Sequence, residues 1–345
     1  MEPLTRSAPR QSSHQRFMVA DTAAVGAVRR AAGDYAGALS DDPGFAAAAA
    51  QVATELATNL LHHAHPGGWI LVRALPPDGV ELIAVDRGPG LRDVAAAVEG
   101  RAPSAHGLGC GLAAVRRAAT HFDLHTDPDR GTVVLAVVRA GHDRRSAQVP
   151  SSRRWAGVSI GIDEACGDGW AVVDEPPGLT VAVVDGLGHG VHASIAADAA
   201  IGALAADPAD LVGYLTRANV AMRDTRGAVV AVCHLDAGRE ELRCLSVGNI
   251  SARLFHGGTH SGIAATNGTV GQRAAPPPTK IVSRPWPAGA TLVLWSDGLT
   301  SHLDLAPGAD LLGHDPAVTA AVLHRDHTRD RDDATVVVLR NPGTP

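Results

Sequence analysis

Between Val138 and Trp155 the chain carries the run RAGHDRRSAQVPSSRRW, with five arginines, a proline at 150 and almost no apolar spacing. Such a stretch builds neither a strand nor the buried face of a helix, so it divides the polypeptide into two folding units. At 345 residues, each side is long enough to bury its own core without disulfides or a structural metal. The expected layout is a disordered N-terminus over residues 1–15, a first domain over 16–138, a linker over 139–154 and a second domain over 155–340. No internal repeat is visible at periods of about 20 to 50 residues.

Several function classes drop out early. Thirty Lys and Arg against 36 Asp and Glu leave a net charge of −6, a poor basis for non-specific nucleic-acid binding. Cys110, Cys166, Cys233 and Cys244 show no C-x-x-C pairing, so reduced thiols in a cytoplasmic protein are expected rather than a zinc ribbon or disulfide framework. No apolar run reaches about 18 residues, and the polar first residues lack a secretory pattern, so no membrane span is expected. The sole lysine, Lys280, lies between Thr279 and Ile281, which excludes a P-loop.

In the first half, apolar spacing predicts helices over residues 21–39 and 43–63 and strands over 69–75 and 80–86. A looped region over 91–106, a helix over 108–122 and strands over 123–126 and 132–138 follow. This is an α/β sandwich, one sheet covered by helices. Glu55 and Asn59 stand four apart, on one helix face beside Val52, Leu56 and Leu60. Asp86-Arg-Gly-Pro-Gly90 ends a strand, and Gly107-Leu-Gly-Cys-Gly111 opens a helix. A strand-end carboxylate such as Asp86 can accept a bond from an exocyclic amine. Glycines at 88 and 90 admit a planar base, and those at 107, 109 and 111 expose backbone N–H groups to phosphate. Asn59 offers an oxygen to Mg²⁺. Singly, each cluster is ordinary: a solvated helix face, a turn, a glycine-rich loop. Gly109–Ala114 also matches GxGxxA, but the preceding residues 101–106 are no strand, against a Rossmann turn. His62, His63 and His65 read as solvated residues at a helix end.

Together, in this order and spacing, the clusters resemble the GHKL ATP-binding fold, most closely the anti-sigma-factor serine kinases of bacterial partner switching. The resemblance covers residues 16–138 and includes Thr132 in RGTVV. It implies ATP with Mg²⁺ held by Asn59, adenine read by Asp86, the glycines at 88, 90, 107, 109 and 111 around the nucleotide, and Glu55 as general base toward a protein serine.

In the second half, strands are expected over 155–163, 169–173, 179–185, 228–236, 241–247, 252–256, 291–296 and 335–339, with helices over 192–206 and 209–222. The aspartates carry the chemistry. Asp168 precedes a strand in CGDGW, Asp185 ends LTVAVVD, Asp297 ends TLVLWSD, and Asp332 and Asp333 open DDATVVVL. Any one of them could be a turn initiator. Converging, they would be costly to bury without a cation, and hard oxygen donors suit Mg²⁺ or Mn²⁺ rather than zinc. Two such ions about 3.5–4 Å apart can activate a water toward phosphorus. Gly186 would let a backbone carbonyl reach a metal. Trp170, Trp286 and Trp295 read as core residues, and His189 as a proton donor or a solvated loop residue.

The set GDGW, DGLGHG, SVGN, SDGLTS and DDATVVV resembles the SpoIIE-like branch of metal-dependent serine/threonine phosphatases over residues 155–340. The resemblance implies a β-sandwich flanked by helices and two Mn²⁺ or Mg²⁺ ions on Asp168, Asp185, the Gly186 carbonyl, Asp297 and Asp332, with Asp185 and Asp297 central to catalysis. Asp332 is preferred over Asp333 as the first of the pair. The expected whole is a two-domain α+β phosphatase with an ATP-binding regulatory domain, acting on a phosphorylated STAS-type anti-anti-sigma protein, with stressosome-like or anti-sigma partners. A non-catalytic partner-switching protein and a bifunctional serine kinase/phosphatase are the alternatives.

Overall fold

The computed structural model describes residues 10–343 except Pro66, 102–110, 142–152, Pro177, Ala237 and 304–310. The chain forms two compact units: one from His14–Arg153 with Gly313–Arg325, the other from Met1–Ser13, Arg154–Leu312 and Asp326–Pro345. The fold is α+β, as the patterning implied. Most of the linker expected over 139–154 lies outside the described residues.

The N-terminal unit contains β1 (Gln15–Val19), α1 (Thr22–Leu39), α2 (Pro43–His63), β2 (Gly68–Leu75), β3 (Gly79–Asp86), α3 (Val94–Glu99), α4 (Gly111–Ala118), β4 (His121–Asp127) and β5 (Gly131–Arg139). Its antiparallel sheet has the order β1-β2-β3-β5-β4. Asp21 caps α1 by accepting from the Ala24 N–H, and Asp42 caps α2 with Pro43 in the first turn, where a missing N–H costs nothing. Val52, Leu56 and Leu60 on α2 pack with Ile70, Leu82 and Ala84 of the sheet. That fixes the rotation of α2 and therefore where Glu55 and Asn59 sit.

The C-terminal unit contains β6 (Trp155–Ile160), β7 (Asp168–Glu175), β8 (Gly178–Gly186), α5 (Val191–Gly202), α6 (Leu211–Ala221), β9 (Ala228–Asp236), β10 (Glu241–Val247), β11 (Ser251–His256), β12 (Thr259–Gly262), β13 (Val282–Pro285), β14 (Thr291–Trp295) and β15 (Ala334–Arg340). Two five-stranded antiparallel sheets result, β13-β10-β9-β8-β7 and β12-β11-β14-β15-β6. The alternation of β8 shows how one sequence serves two cores. Val181 and Val183 join the cluster with Leu292, Leu294 and Val337, whereas Ala182 and Val184 join the cluster with Ala196, Ala197 and Leu215 of the helices. Trp170, Trp286 and Trp295 are buried.

Several elements differ from the sequence expectation. Residues 91–106 were expected as loop but include α3, and the helix expected over 108–122 runs only over Gly111–Ala118 among described residues, because β4 begins at His121. The N-terminus was expected to be disordered to residue 15, yet residues 10–14 are placed: Arg10 is hydrogen-bonded and His14 is buried. A helix not foreseen, α7 (Pro316–His327), lies within the span assigned to the second domain, but Gly313–Arg325 folds with the N-terminal unit. There the Asp315 N–H donates to Asp123 Oδ2 at 2.6 Å, and His121 and His314 pair with Asp315 and Asp123 at 3.0 Å.

Candidate functional site

In the N-terminal unit, α2 carries Glu55 and Asn59 one turn apart. The Asn59 Nδ2 is buried with no hydrogen-bond partner among the described residues. A buried polar group left unpaired costs about 1–3 kcal/mol, so this amide is poised for an acceptor from outside the chain. Gly111 makes room for it: a Cβ there would stand 2.7 Å from Asn59 Oδ1. Gly107 and Gly109 lie outside the described residues.

Asp86, the last residue of β3, accepts at Oδ1 from the Gly88 N–H at 2.7 Å and the Thr132 N–H at 3.1 Å. Its second oxygen takes neither bond. Burial raises this carboxyl above its usual range, with the two N–H bonds and Arg325 opposing. The 87–91 turn is pinned because Thr126 Oγ1 accepts from the Leu91 N–H at 2.8 Å and pairs with Thr132 Oγ1 at 3.1 Å. Gly90 (φ +64°) has the Asp127 carbonyl 2.6 Å from where a Cβ would stand. Gly131 was not singled out in the sequence, yet at φ +92° its Cβ would meet the Asp86 carbonyl at 2.3 Å. Arg325 was also missed. Its Nη1 donates to the Asp86 carbonyl at 3.4 Å, and Arg87 donates to the Arg325 carbonyl. No local pattern announces a contact 239 residues away.

In the C-terminal unit, Asp168 and Asp185 are direct cross-strand partners on β7 and β8. Directly opposed residues project to the same face, so pairing alone brings these carboxylates together. Ser296 Oγ donates to Asp168 Oδ2 at 2.6 Å and accepts from the Thr335 N–H at 3.0 Å. Asn249 Nδ2 donates to Asp297 Oδ2 at 2.7 Å. Burial is the main force pushing Asp168 up to about 7, against its bonds to Ser296 and Thr335 and helped by Asp333 and Asp297. Burial, then the charges of Asp168, Asp297, Asp332 and Asp333, push Asp185 up to about 9. Asp297 is raised by burial and by Asp332. Asp185 thus feels the charge of Asp168, Asp297, Asp332 and Asp333, and Asp168 that of Asp297 and Asp333.

The two neighbouring aspartates at β15 separate in role. Asp333 Oδ1 accepts from the Ile162 N–H at 2.8 Å and Oδ2 from the Gly167 N–H at 2.5 Å, lacing the 161–167 loop to β15. Asp332 is exposed, and its Oδ1 takes the Asp333 N–H at 2.9 Å. Gly186 leaves no space for a side chain, since a Cβ would stand 2.2 Å from the Ala193 carbonyl. His189 is exposed and pairs through Nδ1 with Asp163 Oδ2 at 2.6 Å, which raises its pKa. The donors are hard oxygens, as Mg²⁺ and Mn²⁺ prefer. Among the described residues no group of three or more His, Cys, Asp or Glu has the spacing to hold one ion directly. Mg²⁺ usually takes one or two carboxylates and completes its shell with water, a number the opposed Asp168 and Asp185 can supply.

Residues 175–342 match the family described as Stage II sporulation protein E (SpoIIE), and residues 18–138 match the histidine kinase-like ATPase domain. Over 86 residues the chain is 34% identical to the serine/threonine-protein kinase RsbT of Bacillus subtilis (strain 168), covering 24% of this chain and 65% of RsbT. The chain thus spans just under two thirds of that relative. A structure from work on the bacterial stressosome as a modular system adapted to control secondary messenger signalling aligns over 54% of this chain and 98% of its own, with TM-score 0.50 and 26% identity. The phosphatase domain of SpoIIE from Bacillus subtilis, solved with a fragment of its regulatory domain, aligns over 80% of this chain and 82% of its own, with TM-score 0.47 and 16% identity. No helix among the described residues is long and apolar enough to cross a membrane.

Proposed function

We propose that this chain, whose residues 175–342 match the SpoIIE family and whose residues 18–138 match the histidine kinase-like ATPase domain, is a cytoplasmic phosphoprotein phosphatase governed by a nucleotide-binding module. Its substrate class is a phosphoserine or phosphothreonine on a STAS-type anti-anti-sigma protein, within bacterial partner switching that includes stressosome-like or anti-sigma partners. The likeness to RsbT and to the stressosome structure supports that setting.

Asp168, Asp185, the Gly186 carbonyl, Asp297 and Asp332 would hold two Mn²⁺ or Mg²⁺ ions. Bound there, the ions would lower the pKa of water and neutralise phosphate charge. The chain's own part is orientation. Ser296 fixes the Asp168 carboxylate, Asn249 fixes Asp297, and Asp333 holds the 161–167 loop in place. One observation carries the reading: Asp168 and Asp185 sit opposite each other, their carboxyls raised by burial and by neighbouring carboxylates.

In the ATPase domain, Asp86 would accept from the adenine amine, with Gly88, Gly90 and Thr132 shaping its loop. Asn59 would meet the Mg²⁺ and phosphates of ATP beside Gly111, with Gly107 and Gly109 assigned to the nucleotide by the resemblance alone. Glu55, one turn from Asn59, would act as general base if the second reading, a bifunctional kinase/phosphatase, holds. Hydrolysis of p-nitrophenyl phosphate that requires Mn²⁺ and disappears in Asp185→Asn and Asp297→Asn is the expected result. No hydrolysis with any divalent cation would instead leave a non-catalytic partner-switching protein. Transfer of labelled γ-phosphate to a STAS protein, lost in Glu55→Ala, tests the kinase reading.

A further inference from the structure

Arg10 precedes the ATPase domain in sequence but belongs to the C-terminal unit. There it runs beside β7, the edge strand of its sheet, whose outward carbonyls have no strand partner. Two of them are met by this arm. The Gln11 N–H donates to the Trp170 carbonyl at 2.9 Å, and Arg10 Nη2 donates to the Asp168 carbonyl. The same Nη2 donates to the Cys166 carbonyl at 2.8 Å. Arg10 Nη1 donates to Ser194 Oγ at 2.8 Å and Asp198 Oδ1 at 2.7 Å, both on α5. The guanidinium lies across Gly169, where a Cβ would stand 3.1 Å from its Nε.

We infer that Arg10 is a positioning residue for the metal-binding carboxylates, clamping the strand start that carries Asp168 to the helix that follows the Asp185–Gly190 loop. The inference rests on the phosphatase reading above. Glycines at 167 and 169 flank Asp168 and bring no side chains of their own to anchor it, although Ala193, Ala197 and Ile201 of α5 pack close against them. Arg10 supplies that constraint by spanning two carbonyls on one side and two side chains on the other. Only a planar fork of five donors does this, and the three donors of a lysine ammonium cannot reproduce it. The ATPase domain is then an insertion between two segments of one phosphatase unit, and the arm ahead of it is part of the phosphatase site.

The test uses the full chain with Arg10→Met, Arg10→Lys and Asp198→Ala, each first checked for folding by metal-free thermal unfolding. Mn²⁺ affinity is read by calorimetry, and kcat and KM for p-nitrophenyl phosphate are read across a Mn²⁺ titration. Loss of an outer partner of a metal ligand typically costs about 10–100-fold in affinity or activity. Arg10→Met is expected to weaken Mn²⁺ binding within that range, with KM at saturating Mn²⁺ held within about twofold, and Arg10→Lys to recover only part of the affinity. Asp198→Ala, which removes one of four contacts, should fall between Arg10→Lys and the parent. Unchanged Mn²⁺ affinity in Arg10→Met and Arg10→Lys, with the parent active, overturns the inference alone. A parent protein with neither Mn²⁺ binding nor hydrolysis overturns the phosphatase reading on which it rests.

Discussion

Glu81, on β3 of the N-terminal unit, is fully buried, and burial favours its neutral form. Arg73 at 2.7 Å, Arg153 at 2.8 Å and His14 at 3.2 Å nevertheless hold it well below the usual carboxylate range. Asp168 and Asp185, on β7 and β8 of the C-terminal unit, are pushed the other way. The groups that act on them are Ser296, Thr335 and further carboxylates, and no cation stands among them in the described residues. The difference separates two uses of buried negative charge. Where the carboxylate serves the fold, the same unit provides arginines. Where it belongs to the proposed metal site, its neighbours share its sign.

Breaking the Glu81 cluster gives the largest expected effect. Glu81→Gln leaves Arg73 buried without its ion partner, so urea unfolding of the N-terminal unit should lose about 3–5 kcal/mol. Asp185→Asn in the C-terminal unit should behave oppositely, with no loss of metal-free stability and at least about 100-fold less Mn²⁺-dependent hydrolysis, beyond what loss of an outer partner costs. In the N-terminal unit, ATP with Mg²⁺ at about 100 times its Kd should add about 2.7 kcal/mol of stability, and Asn59→Ala should remove that gain in thermal unfolding. Asp333→Ala strands the Ile162 and Gly167 N–H groups, so it should cost about 1–3 kcal/mol in denaturant unfolding. Asp332→Ala, by contrast, should lower Mn²⁺ affinity while sparing stability.

The last comparison is in pH, and its sign is what separates the two units. Asp168 near 7 and Asp185 near 9 stand above the unfolded value of about 3.9, so the metal-free folded state holds more protons than the unfolded state between those limits. Their contribution is complete below about pH 4 and is lost as pH rises through about 7 and 9. Glu81 gives the reverse sign: its contribution is present above the unfolded glutamate value of about 4.3 and is lost as pH falls through its lower folded value. Metal-free thermal unfolding from pH 3 to 10, repeated with Asp185→Asn and Glu81→Gln, checks both signs.

The same contrast governs what could be read from the sequence. The helix expected over residues 43–63 and the strands over 228–236 and 241–247 stand where their apolar period placed them, as α2, β9 and β10. Each has one kind of neighbour on each face. α7 was missed because Pro316–Arg325 is buried all round, which erases the period that marks a helix. β12 and β13 were missed because each is only four residues long, β12 exposed throughout and β13 with just Val282 packed against the core. At the candidate site, aspartates at strand ends were readable because position on a strand is a local property. Ser296 as the partner of Asp168, Asp333 as the staple of the 161–167 loop, Arg10 across Gly169 and Arg325 on Asp86 were not. Each depends on segments joined only by folding, and order along the chain was the sole basis for choosing between Asp332 and Asp333.

The most direct test is anomalous diffraction from crystals grown with Mn²⁺. Two manganese peaks bounded by Asp168, Asp185, Asp297 and Asp332, with Asp333 still bonded to the 161–167 loop, are the predicted result. Density showing those four side chains turned to separate solvent positions at saturating Mn²⁺, with no manganese among them, would contradict it.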